Sequence, residues 1–381
     1  MLIRARPKYL SIKDFSNYDI FKVFENEYFF NQGRKALEFY LLLLRKKYNK
    51  SLNVLLQDFN CNVVIDAILK SDNNAILADI NLTDFSIDID IIKNNVNSID
   101  VVILTHYQGI PNKDYLNIVE LCRKHNIIVI EDMAHTYKSK INNVEVGTLG
   151  DVSVYSYAFD KPFSAYEGGL LIENRNVVNI ENNYKKLKSE SDKKAKLDIE
   201  ILKFLIENTT EKNYQNNVNQ YELIRFFLRF GFSNNIIKFI VNNNIVVKVL
   251  KRIVSIKQED EILKLHKDKI SLIKKQMSNF NYQESIVLNL ENMLLKNSFN
   301  IYKYDTNFEI KWNRYSLLDK DKKILKFLLD KNIEVGNFNW SRPLHERYRE
   351  TDNIKYLSNF KNSQYASKNI INIPIWRKLD E

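Results

Sequence analysis

The stretch that most constrains this chain is residues 127–169, IIVIEDMAHTYKSKINNVEVGTLGDVSVYSYAFDKPFSAYEGG. It opens on a continuous apolar run, Ile127 to Ile130, that ends in Glu131 and Asp132. A short, wholly apolar run bounded by polar residues suits a parallel strand covered on both faces. An acid at the carboxyl end of such a strand points into the crevice where open α/β sheets bind ligands. A second strand, Val152 to Tyr157, follows, and Lys161 stands just beyond it. The pattern predicts a carboxylate and an amine delivered to one cleft by the tips of two strands.

A lysine and an acid in one cleft are what pyridoxal 5′-phosphate (PLP) requires: an amine for the Schiff base and a carboxylate at the pyridinium nitrogen. Either residue alone says little, because the chain has 57 Lys and Arg, and most such side chains are solvated surface groups. The surrounding motifs carry more. An acid pair and a small residue end one strand in EDMAH, and Gly147-Thr148-Leu149-Gly150-Asp151 follows. Tyr155-Ser156-Tyr157 is an aromatic-Ser-aromatic strand, Lys161 lies five residues past that serine, and Glu167-Gly168-Gly169 starts the next strand. In this order and spacing the chain resembles the DegT/DnrJ/StrS family of PLP-dependent sugar aminotransferases. The resemblance implies an aspartate aminotransferase-like fold and a homodimer with active sites at the subunit boundary. It also implies Lys161 as the Schiff-base lysine, Asp132 on the pyridine nitrogen and Ser156 on the phosphate.

Further candidates come from the rest of the chain. In FFNQGRKALEFYLLLL, Gly33 precedes apolar residues at helical spacing. A helix N-terminus behind a glycine offers free N–H groups and a positive dipole end to a phosphate. The same segment is equally an ordinary amphipathic helix; the resemblance favours phosphate contacts from Gly33 and Arg34. After a candidate strand, 53–57, comes Asp58-Phe59-Asn60-Cys61. Here the family places an aromatic ring on the pyridine face. The matching position is Cys61, with Phe59 two residues earlier, and a core role for Phe59 is an equal expectation. His106 follows the strand Val101 to Thr105, where the resemblance puts a histidine near the cofactor. His135, three residues past Asp132, is expected against the ring or hydrogen-bonded to the cofactor. Near the end, Arg314-Tyr315, a helix from Leu317 to Leu329, KNIEVGNF and RPLHERY follow the family's order. Arg314 and His345 are therefore expected to face substrate. Ile370 to Ile375 matches an apolar-Pro segment, while the family's closing helix has no counterpart after Trp376.

Strands alternate with helices from 53 to 173, as in parallel βαβ units. The α/β expectation is a PLP-binding large domain over 1–174, a helical region over 175–298 and a small α+β domain over 299–381. In the middle region the family's Tyr-Asn-Tyr-Arg turn, which reaches the neighbouring subunit's phosphate, has only Asn219-Gln220-Tyr221 as a poor counterpart. Residues 236–256, apolar and basic, could lie on a membrane surface or bind a partner helix; a helical hairpin packed on the body or at the dimer interface is the preferred expectation.

The net charge of +10 comes with no nucleic-acid motif and suits a cleft for an anionic substrate as well. Two cysteines, Cys61 and Cys122, are too few for a disulfide framework and lack metal spacing. With no apolar signal segment at the start and no run long enough to span a bilayer, a cytoplasmic protein is expected. The expected reaction moves an amino group from an amino acid, glutamate by preference, to a keto group on a nucleotide-linked sugar, for polysaccharide, O-antigen, other glycan or glycosylated-metabolite synthesis. Two other readings stand beside it. One is a PLP-dependent sugar dehydratase, although dehydratases of this fold carry histidine where Lys161 stands. The other is a degenerate, non-catalytic member with a binding or regulatory role.

Overall fold

The computed structural model describes residues 2–3, 15, 24–208, 223–224, 226–227, 230–242, 260–282, 284–331, 333, 335–336, 340 and 342–375. Its centre is an eight-stranded sheet in the order Ile354–Tyr356, Asn74–Ala78, Asn53–Gln57, Val101–Thr105, Ile128–Asp132, Val152–Ser156, Gly169–Glu173, Glu27–Phe30. The first six are mutually parallel and the last two join antiparallel.

The apolar runs are continuous because both faces of this sheet are covered. Val54, Leu56, Ile103 and Ile130 pack beneath the helices Gly33–Tyr48 and Asn62–Lys70, against Leu37, Leu41 and Ile65. Leu55, Val102, Leu104 and Val129 turn the other way, toward Ile92, Ile118 and Cys122 of the helices Ile89–Asn94 and Tyr115–Lys124. The parallel register sets Thr105 beside Asp132 and Asp132 beside Val154, so the strands end together at one rim.

A second sheet of four strands runs Leu2–Ile3, Val335–Gly336, Ile370–Pro374, Arg314–Leu318. This corrects the helix expected from Leu317 to Leu329. Leu317 and Leu318 pair in an antiparallel ladder with Ile371 and Ile370, and the helix begins only at Lys323, running Lys323–Asp330. Cross-strand partners, invisible to helical spacing, decide those two leucines.

In the middle region, the helices Asp192–Asn208 and Lys267–Ser278 meet around a buried charge cluster. Lys269 Nζ lies 3.2 Å from Glu190 and 2.8 Å from Asp198, and Lys194 Nζ lies 2.8 Å from Asp198 and 3.0 Å from Glu167. Within 236–256, the helix Asn234–Asn242 leaves Ile236 and Phe239 exposed, and residues 243–256 lie outside the described residues. So do Asn219-Gln220-Tyr221 and the residues from Trp376 onward. Among the described residues no helix is long and apolar enough to cross a membrane.

Candidate active site

Strand alternation separates the acid pair at 131–132. Glu131 turns into the interior, wholly buried, and accepts from the backbone N–H groups of Gly147 (2.5 Å), Gly150 (2.5 Å) and Leu149 (3.1 Å) and from the Tyr115 hydroxyl (3.1 Å). It fastens the loop before the Val152 strand. A Cβ on Gly150 would lie 2.8 Å from the Glu131 Cγ, which is why the motif needs glycine there. Asp132 instead lines a cleft at the rim of the sheet. Its Oδ1 accepts from the Ala134 N–H at 3.0 Å, and Thr105 Oγ1 donates to its Oδ2 at 3.4 Å. Burial pushes this carboxyl above the usual range, against the opposing pull of Lys161.

Lys161 reaches the same cleft from the loop after the Val152–Ser156 strand. Its Nζ lies 3.0 Å from His135 Nε2 and 3.4 Å from Asp160 Oδ2. Burial, then the lysine charge, holds the His135 imidazole well below its ordinary 6.5. Asp160 is held down at about 2, because Lys161 and Arg314 outweigh the effect of burial.

The opposite wall is the N-terminus of the helix Gly33–Tyr48, with Gly33 and Arg34 beside Ser156. Contact is close because glycine stands on both sides. A Cβ at Gly33 would lie 2.9 Å from the Ser156 Cβ, and one at Gly169 would lie 2.5 Å from the Gln32 carbonyl oxygen. Arg34 Nε donates to Gln32 Oε1 at 2.7 Å. Cys61 lines the cleft at the start of the helix Asn62–Lys70, and burial pushes its thiol up.

Three expected residues are placed elsewhere, and Phe59 takes the core role that was its other expectation. Phe59 is wholly buried and off the cleft, its ring 5.2 Å from Trp340 and 5.4 Å from Tyr107. His106, expected near the cofactor, is fully buried behind the strand. The Asn112 N–H donates to its Nδ1 at 3.2 Å, so Nε2 carries the proton and donates to Glu131 at 3.2 Å. His345 does not line the cleft either. Its Nδ1 and backbone N–H bind the two Asp58 carboxyl oxygens at 2.8 and 2.7 Å, and its ring stacks on Phe360 at 4.5 Å. Arg314 is 1% exposed at the start of its strand; it is not a lining residue and reaches the site by its charge, on Asp160 and His135.

Sequence reasoning missed Asn60, Tyr155 and Trp340 as lining residues. Tyr155 stands in the aromatic-Ser-aromatic motif and Asn60 next to Cys61, so both lay within reach. Trp340 is brought in from far along the chain, and its one signal was its place just before RPLH.

Residues 28–201 match the model of the DegT/DnrJ/EryC1/StrS aminotransferase family. The chain is 25% identical over 126 residues to the GDP-perosamine synthase of Vibrio cholerae, which is 33% of this chain and 34% of that relative. The match thus spans about a third of the relative's length. Among solved structures, a DegT DnrJ EryC1 StrS aminotransferase from Brucella abortus superposes with a TM-score of 0.59 at 14% identity, covering 91% of this chain and 80% of that one. An E coli GDP-4-keto-6-deoxy-D-mannose-3-dehydratase with bound hydrated PLP gives 0.59 at 15% identity, covering 91% and 82%. These likenesses show the fold, the aspartate aminotransferase-like one expected from the sequence. The cofactor of this family is PLP, and the cleft's own residues fit it. They supply an acid at the end of a central strand, an amine beyond the next strand, and a helix N-terminus left bare by Gly33 beside a serine hydroxyl.

Proposed function

We propose that this chain, whose residues 28–201 match the DegT/DnrJ/EryC1/StrS aminotransferase family model, moves an amino group from an amino acid to a keto group on a nucleotide-linked sugar. The observation that carries the reading is the meeting of Asp132, Lys161, Ser156 and Gly33 in one cleft. The name of the Vibrio cholerae relative supports a nucleotide-linked sugar as acceptor. Glutamate as donor, action as a homodimer, a cytoplasmic setting and a product used in glycan synthesis belong to the same proposal.

PLP held in this cleft supplies an electron sink for the amine-bearing carbon. Asp132 is the residue to face the pyridine nitrogen, and its anchoring by Thr105 and Ala134 fixes the carboxylate before anything binds. Gly33, Arg34 and Ser156 would hold the phosphate: two backbone N–H groups at a helix start, a guanidinium and a hydroxyl. Lys161 Nζ would act as the base that takes the proton from the donor carbon and as the acid that delivers it to the other end of the proton shift, with His135 Nε2 within hydrogen-bond reach. The apolar wall of Val63, Val64, Ile103 and Ile130 keeps water from the reacting atoms.

The dehydratase reading is disfavoured because Lys161 stands where the dehydratases of this fold carry histidine. The degenerate reading is disfavoured because an acid, an amine, a helix N-terminus and a serine line one cleft, even with Cys61 where the family places an aromatic ring. Mass analysis of the products tests the choice. With a nucleotide-linked keto sugar and glutamate, gain of an amine is expected and loss of a hydroxyl as water contradicts the reading. Lys161→Ala is expected to abolish turnover, and an active variant removes the mechanism.

A further inference from the structure

A histidine ring is usually held by a hydrogen bond on each nitrogen, the second partner fixing the tautomer and the ring plane. His135 has a partner on one side only. Its Nε2 lies 3.0 Å from Lys161 Nζ, whereas Nδ1, although buried, has no hydrogen-bond partner among the described residues. The terminal torsion of a histidine is broad and roughly two-fold, so a single contact leaves the plane poorly fixed. Packing fixes it here. The Trp340 indole lies nearly flat on the imidazole, with centroids 5.2 Å apart and planes at 21°. Tyr107 meets the same ring edge-on at 6.1 Å. Trp340 is itself braced by Tyr107 at 5.0 Å and by Phe59 at 5.2 Å.

We propose that Trp340 is a positioning residue: its indole holds the His135 imidazole in the plane that aims Nε2 at the Lys161 amine, so Trp340 governs how the lysine is presented to the cleft. The stack fixes the plane, and the Lys161 contact selects between the two flips that share it. With the lysine amine donating to Nε2, the single imidazole proton resides on Nδ1. Phe59 takes its part as the ring behind the indole, away from the cofactor. The consequence for turnover rests on reading Lys161 as the reactive amine; the positioning itself does not.

Imidazole nitrogen NMR of the cofactor-free chain, labelled with 15N-histidine, tests this directly. The chain has five histidines, and the His135 signals are those lost in His135→Gln. The charged groups acting on this imidazole are Lys161, Asp160 and Arg314. In the wild type one tautomer is expected, protonated on Nδ1, with a titration midpoint below 6.5. Trp340→Leu keeps an apolar side chain but no flat face. It is expected to give a mixture of tautomers and a midpoint moved back toward 6.5, while Trp340→Phe restores the wild-type spectrum. Should Trp340→Leu not fold, Phe59→Leu removes the brace behind the indole and is expected to give an intermediate mixture. In the loaded enzyme Trp340→Leu is expected to lower kcat by up to about 10²-fold, the size of a misplaced catalytic group. A wild-type tautomer and midpoint in Trp340→Leu, or in Phe59→Leu where the former does not fold, overturn the inference while leaving the aminotransferase reading standing. So does a wild-type His135 protonated on Nε2.

Discussion

At the scale of single residues, the two acids at 131 and 132 show how position decides chemistry. Glu131 is saturated by donors from a loop and serves the fold, whereas Asp132, one residue on, faces the cleft with a fixed carboxylate. Asp132→Asn keeps the volume and loses the charge. It is expected to lower kcat by ~10²–10³-fold, the loss seen when one preorganised electrostatic partner is removed, with steady-state kinetics as the check. Cys61 gives a second expectation. Its thiol is pushed up by burial, so alkylation by iodoacetamide at pH 8 is expected to be slower than that of an exposed cysteine, and slower again once PLP fills the cleft. Peptide mass spectrometry reads both rates, and equal rates with and without PLP contradict a cleft-facing thiol. That Asp132, Ser156 and Lys161 share a cleft was legible in the sequence because they sit at or just past neighbouring strand ends, and Gly33 was legible from the helical spacing behind it. The surroundings of Phe59, His106 and His345 were not, since each is set by a distant partner: Trp340, Glu131 and Asp58.

At the scale of elements, the proposed phosphate end of the cleft depends on how closely one helix approaches two strands. Gly169→Ala places a methyl 2.5 Å from the Gln32 carbonyl oxygen and 2.6 Å from the Gly33 Cα, backbone atoms that cannot swing aside. It is expected to cost about 1–3 kcal/mol, as overpacking does, and to weaken PLP binding by retracting the helix start. Thermal unfolding and a PLP titration check the two effects; a wild-type affinity shows that the helix start does not hold the phosphate. Strands and helices from 53 to 173 could be read from apolar runs because both faces of the parallel sheet are covered. Leu317 and Leu318 could not, because a ladder with Ile371 and Ile370 overrides their helical spacing.

At the scale of the whole molecule, the middle helices are joined through charge. Lys269→Met leaves the Asp198 and Glu190 carboxylates buried without that cation, and a loss of about 3–5 kcal/mol is expected in urea unfolding at neutral pH. Burial alone would raise the Asp198 carboxyl, but Lys269 and Lys194 hold it below its ordinary 3.8. Its stabilisation is therefore fully present above about pH 4 and fades as the pH falls through the folded value. For Lys194, burial is outweighed by Asp198 and Glu167, which raise it above 10.5; its stabilisation is present below that pH and fades above it. The gap between Lys269→Met and the wild type is thus expected to narrow in acid, and a gap independent of pH contradicts the charge account. These partners lie far apart along the chain, which is why the region read only as polar helix. The central claim, a cofactor held by Lys161 and an amino group passed through it, is tested most directly by visible absorption of the purified chain with PLP, before and after glutamate. The account predicts a visible band that survives gel filtration, is absent from Lys161→Ala, disappears on adding glutamate and returns with a nucleotide-linked keto sugar. A chain that gains no such band, or one that gains it equally in Lys161→Ala, contradicts the account.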